Sequence, residues 1–319
     1  MPSRFWAKAS CIGCLAFMAY SLMLFSGCSS ESQPQTSQRA MYYWRTTFQP
    51  DSAELAFLKE QHIGRLYLRY FDVVVNEQHE VVPTATCVFE SAQPDSVEIV
   101  PTVFIMENCL WQETGGLAGK IVRRVLQMSE TNDIRPVKEV QIDCDYTKRS
   151  RERYYSLLKL MRDELRKHQI KLSATIRLHQ LSMPAPPVDE GTLMLYNTGD
   201  VTKRSERNPI LDIRDVAPYL RHLGRYQLPL NAAYPLFEWK VLFHNDEFRH
   251  IAYNQTDEQC KLKGDTLIHW YCTADELQKV KQAVKNERKD LHRQVILYHL
   301  DQRFINNYKT EDYEKIFNE

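Results

Sequence analysis

From residue 40 to the C-terminus the sequence alternates between two periodicities, and few folds satisfy both. Short runs of aliphatic, β-branched and aromatic residues, the mark of buried strands, fall at 40–45, 64–73, 97–106, 139–143, 171–176, 192–196, 228–233 and 294–299. Between most of them lie polar stretches whose apolar residues recur three and four apart, which puts those residues on one face of a helix. Tyr154, Leu158, Met161 and Leu165 make one such stripe, and Leu117, Ile121, Val125 and Met128 another. Helix starts are marked as well, by Asp51 or Ser52 for the first helix and by a Thr273-to-Glu276 capping box ahead of Leu277, Val280 and Val284. A strand that returns by way of a helix runs parallel to its predecessor, so repeated βα units imply a parallel sheet. Close to eight units in a single stretch of about 280 residues predict an α/β fold of the (β/α)8 TIM-barrel type rather than an open doubly wound sheet. The segment 240–272 breaks the alternation. There Val241-Leu242-Phe243 and 248–253 flank His244-Asn245-Asp246-Glu247, which predicts a β-hairpin insertion after strand seven.

The beginning of the chain is of another kind. Arg4 and Lys8 precede an apolar stretch from about Cys11 to Phe25 that is short for a membrane span, and no acidic residue occurs before Cys28. Leu24-Phe25-Ser26-Gly27-Cys28 resembles the lipobox of bacterial lipoprotein signals, which implies cleavage before Cys28 and lipid on its thiol. Residues 29–39 hold Ser, Gln, Glu, Pro and Thr without an aliphatic side chain, a composition that buries nothing. The expected organisation is therefore a signal at 1–27, a flexible tether at 28–39 and one barrel at 40–319. Export and a lipid anchor imply the cell envelope, at the outer membrane or the periplasmic face, with the membrane as partner.

Charge and cysteine content narrow the function. The chain carries 41 basic and 41 acidic residues, and losing Arg4 and Lys8 leaves the exported part slightly acidic, so no nucleic-acid partner is expected. Cys87, Cys109, Cys144, Cys260 and Cys272 are odd in number and none has Cys-x-x-Cys spacing. Cys260 with Cys272, or Cys87 with Cys109, are conceivable disulfides in an exported protein. No glycine-rich nucleotide loop follows any strand, and His179 and His299 lack the paired spacing of a metal site. Neither cofactor nor metal is expected.

In a TIM barrel the chemistry gathers at the carboxyl ends of the strands. Those positions carry Trp44 and Arg45, Asp72, Glu107, Asp143 with Asp145, His179, Tyr196 with Asn197, Glu238 with Trp239, and His299 with Asp301. Side chains alternate along a strand, so Gln141, Asp143 and Asp145 share the interior face while Ile142 and Cys144 point outward. Two carboxylates on one face repel, which raises one pKa and leaves a proton donor beside an ionised partner. Asp143, Asp145 and Glu238 are thus the candidate catalytic residues. Trp44, Asp72, Glu107, Tyr196, Asn197, Trp239 and Asp301 are the candidate ligand contacts.

Asp143-x-Asp145 at strand four, Met194-Leu195-Tyr196-Asn197 at strand six and the aromatic mouth resemble the chitinase-like glycoside hydrolase family 18. That family ends its strand-four motif Asp-x-Asp-x-Glu with a proton-donating glutamate. Here the position is Thr147, so the family's substrate-assisted mechanism does not carry over, and Asn197 stands where the family usually has aspartate. The order of Met41-Tyr42-Tyr43-Trp44, of 66–72, of Gln141-Ile142-Asp143-Cys144-Asp145 and of 228–239 is similar to the domain-of-unknown-function family 3142 of exported bacterial proteins. That resemblance implies a glycosidase-like barrel and brings no established activity. Two functions stay open. One is a glycoside hydrolase-like enzyme acting on a polysaccharide through Asp143, Asp145 and Glu238. The other is a non-catalytic glycan-binding or assembly lipoprotein with a degenerate barrel.

Overall fold

The computed structural model describes residues 37–112, 116–254, 256–259 and 262–318, so the signal, Cys28 and nearly all of the tether lie outside the described residues. Eight parallel strands alternate with the connecting segments: β1 (Gln38–Tyr43), β2 (Arg65–Val75), β3 (Glu98–Ile105), β4 (Glu139–Asp143), β5 (Lys171–Ile176), β6 (Glu190–Met194), β7 (Leu230–Pro235) and β8 (Gln294–Tyr298). Each pairs with the next. β1 pairs on one side with β8, Ala40 opposite Ile296, and on the other with β2, Ala40 opposite Arg65, which closes the sheet into the expected (β/α)8 barrel. A closed sheet has no open edge, so every strand is shielded by neighbours on both sides.

The helices start where the sequence marks them. In α1 (Ser52–Glu60) Asp51 is the cap: its side chain accepts from the Glu54 backbone, and Glu54 answers on the Asp51 N–H. α2 (Leu117–Thr131) and α3 (Arg151–Arg166) pack their predicted stripes inward, and Tyr154, Leu158, Met161 and Leu165 are all fully buried. α4 (Ile213–Leu223) follows β6, and α5 (Ala274–Glu287) opens on the Thr273–Glu276 capping box and buries Leu277, Val280 and Val284. α6 (Thr310–Asn318) closes the chain by burying Tyr313, Ile316 and Phe317. Among the described residues no helix is long and apolar enough to cross a membrane.

The structure departs from expectation in four places. β1 begins at Gln38, two residues inside the expected tether, because Gln38 and Arg39 pair with β8 and Arg39 grips Glu314 through two hydrogen bonds of 2.9 and 2.7 Å. No α-helix joins β2 to β3; a strand at Val81–Thr84 folds back antiparallel on β2 instead, and β5 is followed by only a short 3₁₀ turn, Leu178–Ser182. The insertion after β7 is more than a hairpin. Trp239–His244 pairs with Glu247–Ala252 across a tight turn in which Asn245 and Asp246 both have positive φ, the geometry favoured in two-residue hairpins, and Asp265–Trp270 adds a third strand on its other side. Finally, Cys87 and Cys109 are buried free thiols, not a disulfide, and Cys144 and Cys272 are free as well. Cys260 lies outside the described residues.

The barrel interior is a stack of polar rungs rather than a purely apolar core. At the base Arg65 reaches Glu139 at 3.0 Å, and the Ser173 hydroxyl donates to Glu139 at 2.5 Å. One layer up, Tyr42 donates to Gln141 at 2.7 Å and Gln141 donates to Thr192 at 3.1 Å. Buried polar groups are tolerated when each finds a partner, and these ties fix which residues face inward. Above that layer the rungs end and the mouth begins.

Candidate functional site

β4 delivers Asp143 to the top of the barrel with 4% of its surface exposed, because Gln141 and Asp143 share the interior face while Ile142 and Cys144 sit fully buried outside it. Thr175 of β5 donates to Asp143 Oδ1 at 2.6 Å. Two residues on, on the same face, Arg177 Nη2 donates to that oxygen at 3.2 Å while its Nε donates to Asp145. One guanidinium therefore joins the two carboxylates whose repulsion the sequence suggested. Burial pushes the Asp143 carboxyl above its ordinary range and Asp145 and Asp72 add to the effect, against the opposing pull of Arg177 and Thr175. Burial also raises the Cys144 thiol well above its usual value, which fits an inert packing residue rather than a nucleophile.

Three adjoining cavities make the mouth. The central one, about 240 Å³, is lined by Trp44, Arg69, Asp72, Phe104, Asp143, Arg177, Tyr196 and their neighbours Asn197 and Tyr298. A second, about 310 Å³, extends past Arg177 and Tyr196 to Asp145 and His179. The third, about 390 Å³, opens between β8 and the insertion, where Phe237, Glu238, Trp239, Tyr253 and Arg303 meet Tyr298. Asn197 borders all three. It leaves β6 with φ of 54°, a left-handed conformation that asparagine tolerates better than most residues, and the bend turns the chain away from the barrel there.

Most of the predicted contacts converge on this mouth. Trp44 packs edge-on to Tyr42 and lies 5.7 Å from the Arg69 guanidinium, and Arg69 clasps Asp72 with two hydrogen bonds. Tyr196 stacks on Tyr298 at 5.0 Å, yet its buried hydroxyl has no partner among the described residues, and burial keeps it protonated by raising its pKa well above 10. The three carboxylates are separated, however. Asp143 sits in the central cavity, Asp145 in the second, and Glu238 in the third, 3.0 Å from His269 of the insertion.

Two predicted contacts face elsewhere. Glu107 lies in a 3₁₀ turn and accepts from the Thr147 backbone at 3.2 Å, the Thr147 hydroxyl at 2.6 Å and the Ser150 hydroxyl at 2.6 Å. Partial burial would raise its pKa, but those bonds outweigh it and hold the carboxyl below the ordinary glutamate range. It braces the entry to α3 instead of lining the mouth. Asp301 turns onto the Arg303 backbone and side chain at 2.8 to 3.0 Å, and only Arg303 reaches a cavity. Thr147, where a proton donor was sought, is committed to Glu107.

The residues that sequence reading missed are Arg177, Arg69 and Tyr298. Arg177 had a signal: Ser173, Thr175 and Arg177 alternate like the strand they extend, and such a run ends at the mouth. Arg69 and Tyr298 lie on predicted strands among apolar neighbours, where nothing local sets them apart.

No protein family matches the chain in sequence, and no curated protein matches it either. Its fold is that of chitinase-like glycosidase barrels. The spore cortex-lytic enzyme SleL of Bacillus cereus superposes with a TM-score of 0.61 at 13% identity, over 89% of this chain and 75% of that one. A chitinase from Chromobacterium violaceum gives 0.59 at 9% identity, over 88% and 98%. The Group IV chitinase of Ostrinia furnacalis gives 0.51 at 11%, over 88% and 98%. At these identities the likeness is one of fold.

Proposed function

We propose that the chain is a saccharide-binding barrel of chitinase-like architecture, an exported protein of the family 3142 type carried at the cell envelope by lipid on Cys28, whose mouth recognises a glycan without hydrolysing it. The observation that carries this reading is the Arg177 bridge. A glycosidase needs one carboxyl free to give a proton and a second free to act as base or nucleophile. Here Asp143 and Asp145 both hold Arg177, Glu238 is paired with His269 in another cavity, and Thr147 offers a hydroxyl that is bound to Glu107. Aromatic faces remain: Trp44, Phe237, Trp239 and Tyr298 line the same mouth, and flat rings beside hydrogen-bonding groups suit sugar rings.

A hydrolytic reading has one observation in its favour, the raised carboxyl of Asp143 in the central cavity. One experiment separates the two. The full chain in detergent is presented to a panel of labelled oligosaccharides, and both retention and newly formed reducing ends are measured. Retention of at least one oligosaccharide, recovered intact, is the expected result. Sustained release of reducing ends that Asp143→Asn abolishes would establish hydrolysis instead.

A further inference from the structure

The floor of the mouth carries one more carboxylate than it has cations to match. Arg69 is matched by Asp72 alone, whereas the single guanidinium of Arg177 is shared between Asp143 and Asp145. Elsewhere around the mouth Lys240 pairs with Glu258 and Arg303 with Asp301, and Glu238, in the third cavity, lies 3.0 Å from the His269 ring. The surplus is therefore local. Its buried member is Asp143, 4% exposed, whose Oδ1 takes the hydrogen bonds from Thr175 and Arg177 while Oδ2 takes none among the described residues; the Asp145 side chain is 58% exposed. The Tyr196 hydroxyl, which belongs to the same cavity wall, is buried and unpartnered.

A buried carboxylate that has to share its one counter-charge is stabilised by a further cation, so the site is completed by one. A metal ion does not fit, because among the described residues no three His, Cys, Asp or Glu side chains converge as ligands. A primary ammonium does. It brings one positive charge and three N–H donors, and the acceptors left without a partner among the described residues are Asp143 Oδ2, the second oxygen of Asp145 and the buried Tyr196 hydroxyl oxygen. We infer that the mouth selects a glycan carrying a free amine, a de-acylated amino-sugar unit whose ammonium sits between Asp143 and Asp145. This rests on the saccharide-binding reading and adds the ligand's charge to it. An N-acylated sugar has no charge to contribute, and a sugar acid would add a second surplus anion.

Calorimetric titration of the full chain at about pH 6 with the tetramers of glucosamine, N-acetylglucosamine and glucose tests the inference. The glucosamine tetramer is expected to bind about tenfold more tightly than either neutral tetramer, the size of effect a charge-assisted hydrogen bond gives. In Asp143→Asn and Asp145→Asn that ratio falls towards one. The wild-type comparison stands by itself if either variant fails to fold. Equal affinity for the three tetramers would overturn amine selection and leave saccharide binding intact. Absence of binding by all three, together with no retained ligand in the wider panel, would remove the reading on which the inference rests and the inference with it.

Discussion

Arg177 leaves β5 on the face of Ser173 and Thr175, and its guanidinium meets Asp143 and Asp145 at the level where the interior rungs end. The two carboxylates favour its charged form strongly enough to outweigh the burial that opposes it, so its pKa rises above the ordinary arginine value. Removing one member of such a group leaves the others buried and unmatched, typically at about 3 to 5 kcal/mol. Asp145 is partly open to water, its side chain 58% exposed, which places Arg177→Met towards the lower end, about 3 kcal/mol. Urea unfolding measures it. The double variant Arg177→Met with Asp143→Asn is expected to recover part of the loss, because no unmatched buried charge then remains at Asp143. A single-variant loss under about 1 kcal/mol would mean that the bridge does not hold the mouth together.

Among the elements, the turn between α5 and β8 ties two strands together. This 3₁₀ turn, Lys289–Arg293, carries His292 onto β7, where the ring stacks on Tyr234 and its Nε2 lies 2.6 Å from the Tyr234 hydroxyl. Its carbonyl accepts from the Ser37 hydroxyl at 2.6 Å, so the same turn secures the start of β1. Burial, reinforced by Lys281 and Lys285, lowers the His292 pKa from 6.5 to about 3. A depressed pKa contributes stability that is fully present above the unfolded value and is lost as pH falls from about 6.5 towards 3. His292→Leu lacks both the bond and this titration. At pH about 7.5 the variant should be less stable by about 1 kcal/mol, and its deficit should narrow as pH drops to about 4. Thermal melts across that range read the difference. A deficit that stays constant or widens with acidification would show that His292 is not held neutral.

Across the whole molecule the chain enters the barrel at Gln38, at the amino end of β1, while the mouth lies at the carboxyl ends of the strands. The proposed lipid on Cys28 is tested on the thiol itself. The expected result is labelled-palmitate incorporation in the wild type and none in Cys28→Ala; incorporation unchanged in that variant rules out anchoring at this cysteine. The sequence by itself determined the barrel, because strand and helix periodicities are local and their alternation has few closed solutions. The buried stripe of α3, the capping boxes at Asp51 and Thr273, and Asp143 at the mouth all follow from neighbours within a few positions. Only the tertiary structure decided what those residues meet. Asp143 and Arg177 lie 34 positions apart in sequence, and Glu107 and Thr147 lie 40 apart, so no periodicity announces that one pair bridges the mouth and the other braces a helix. Electrostatic character belongs to the finished arrangement: a carboxylate acquires its proton affinity, and its use, from groups that only folding brings within a few ångströms.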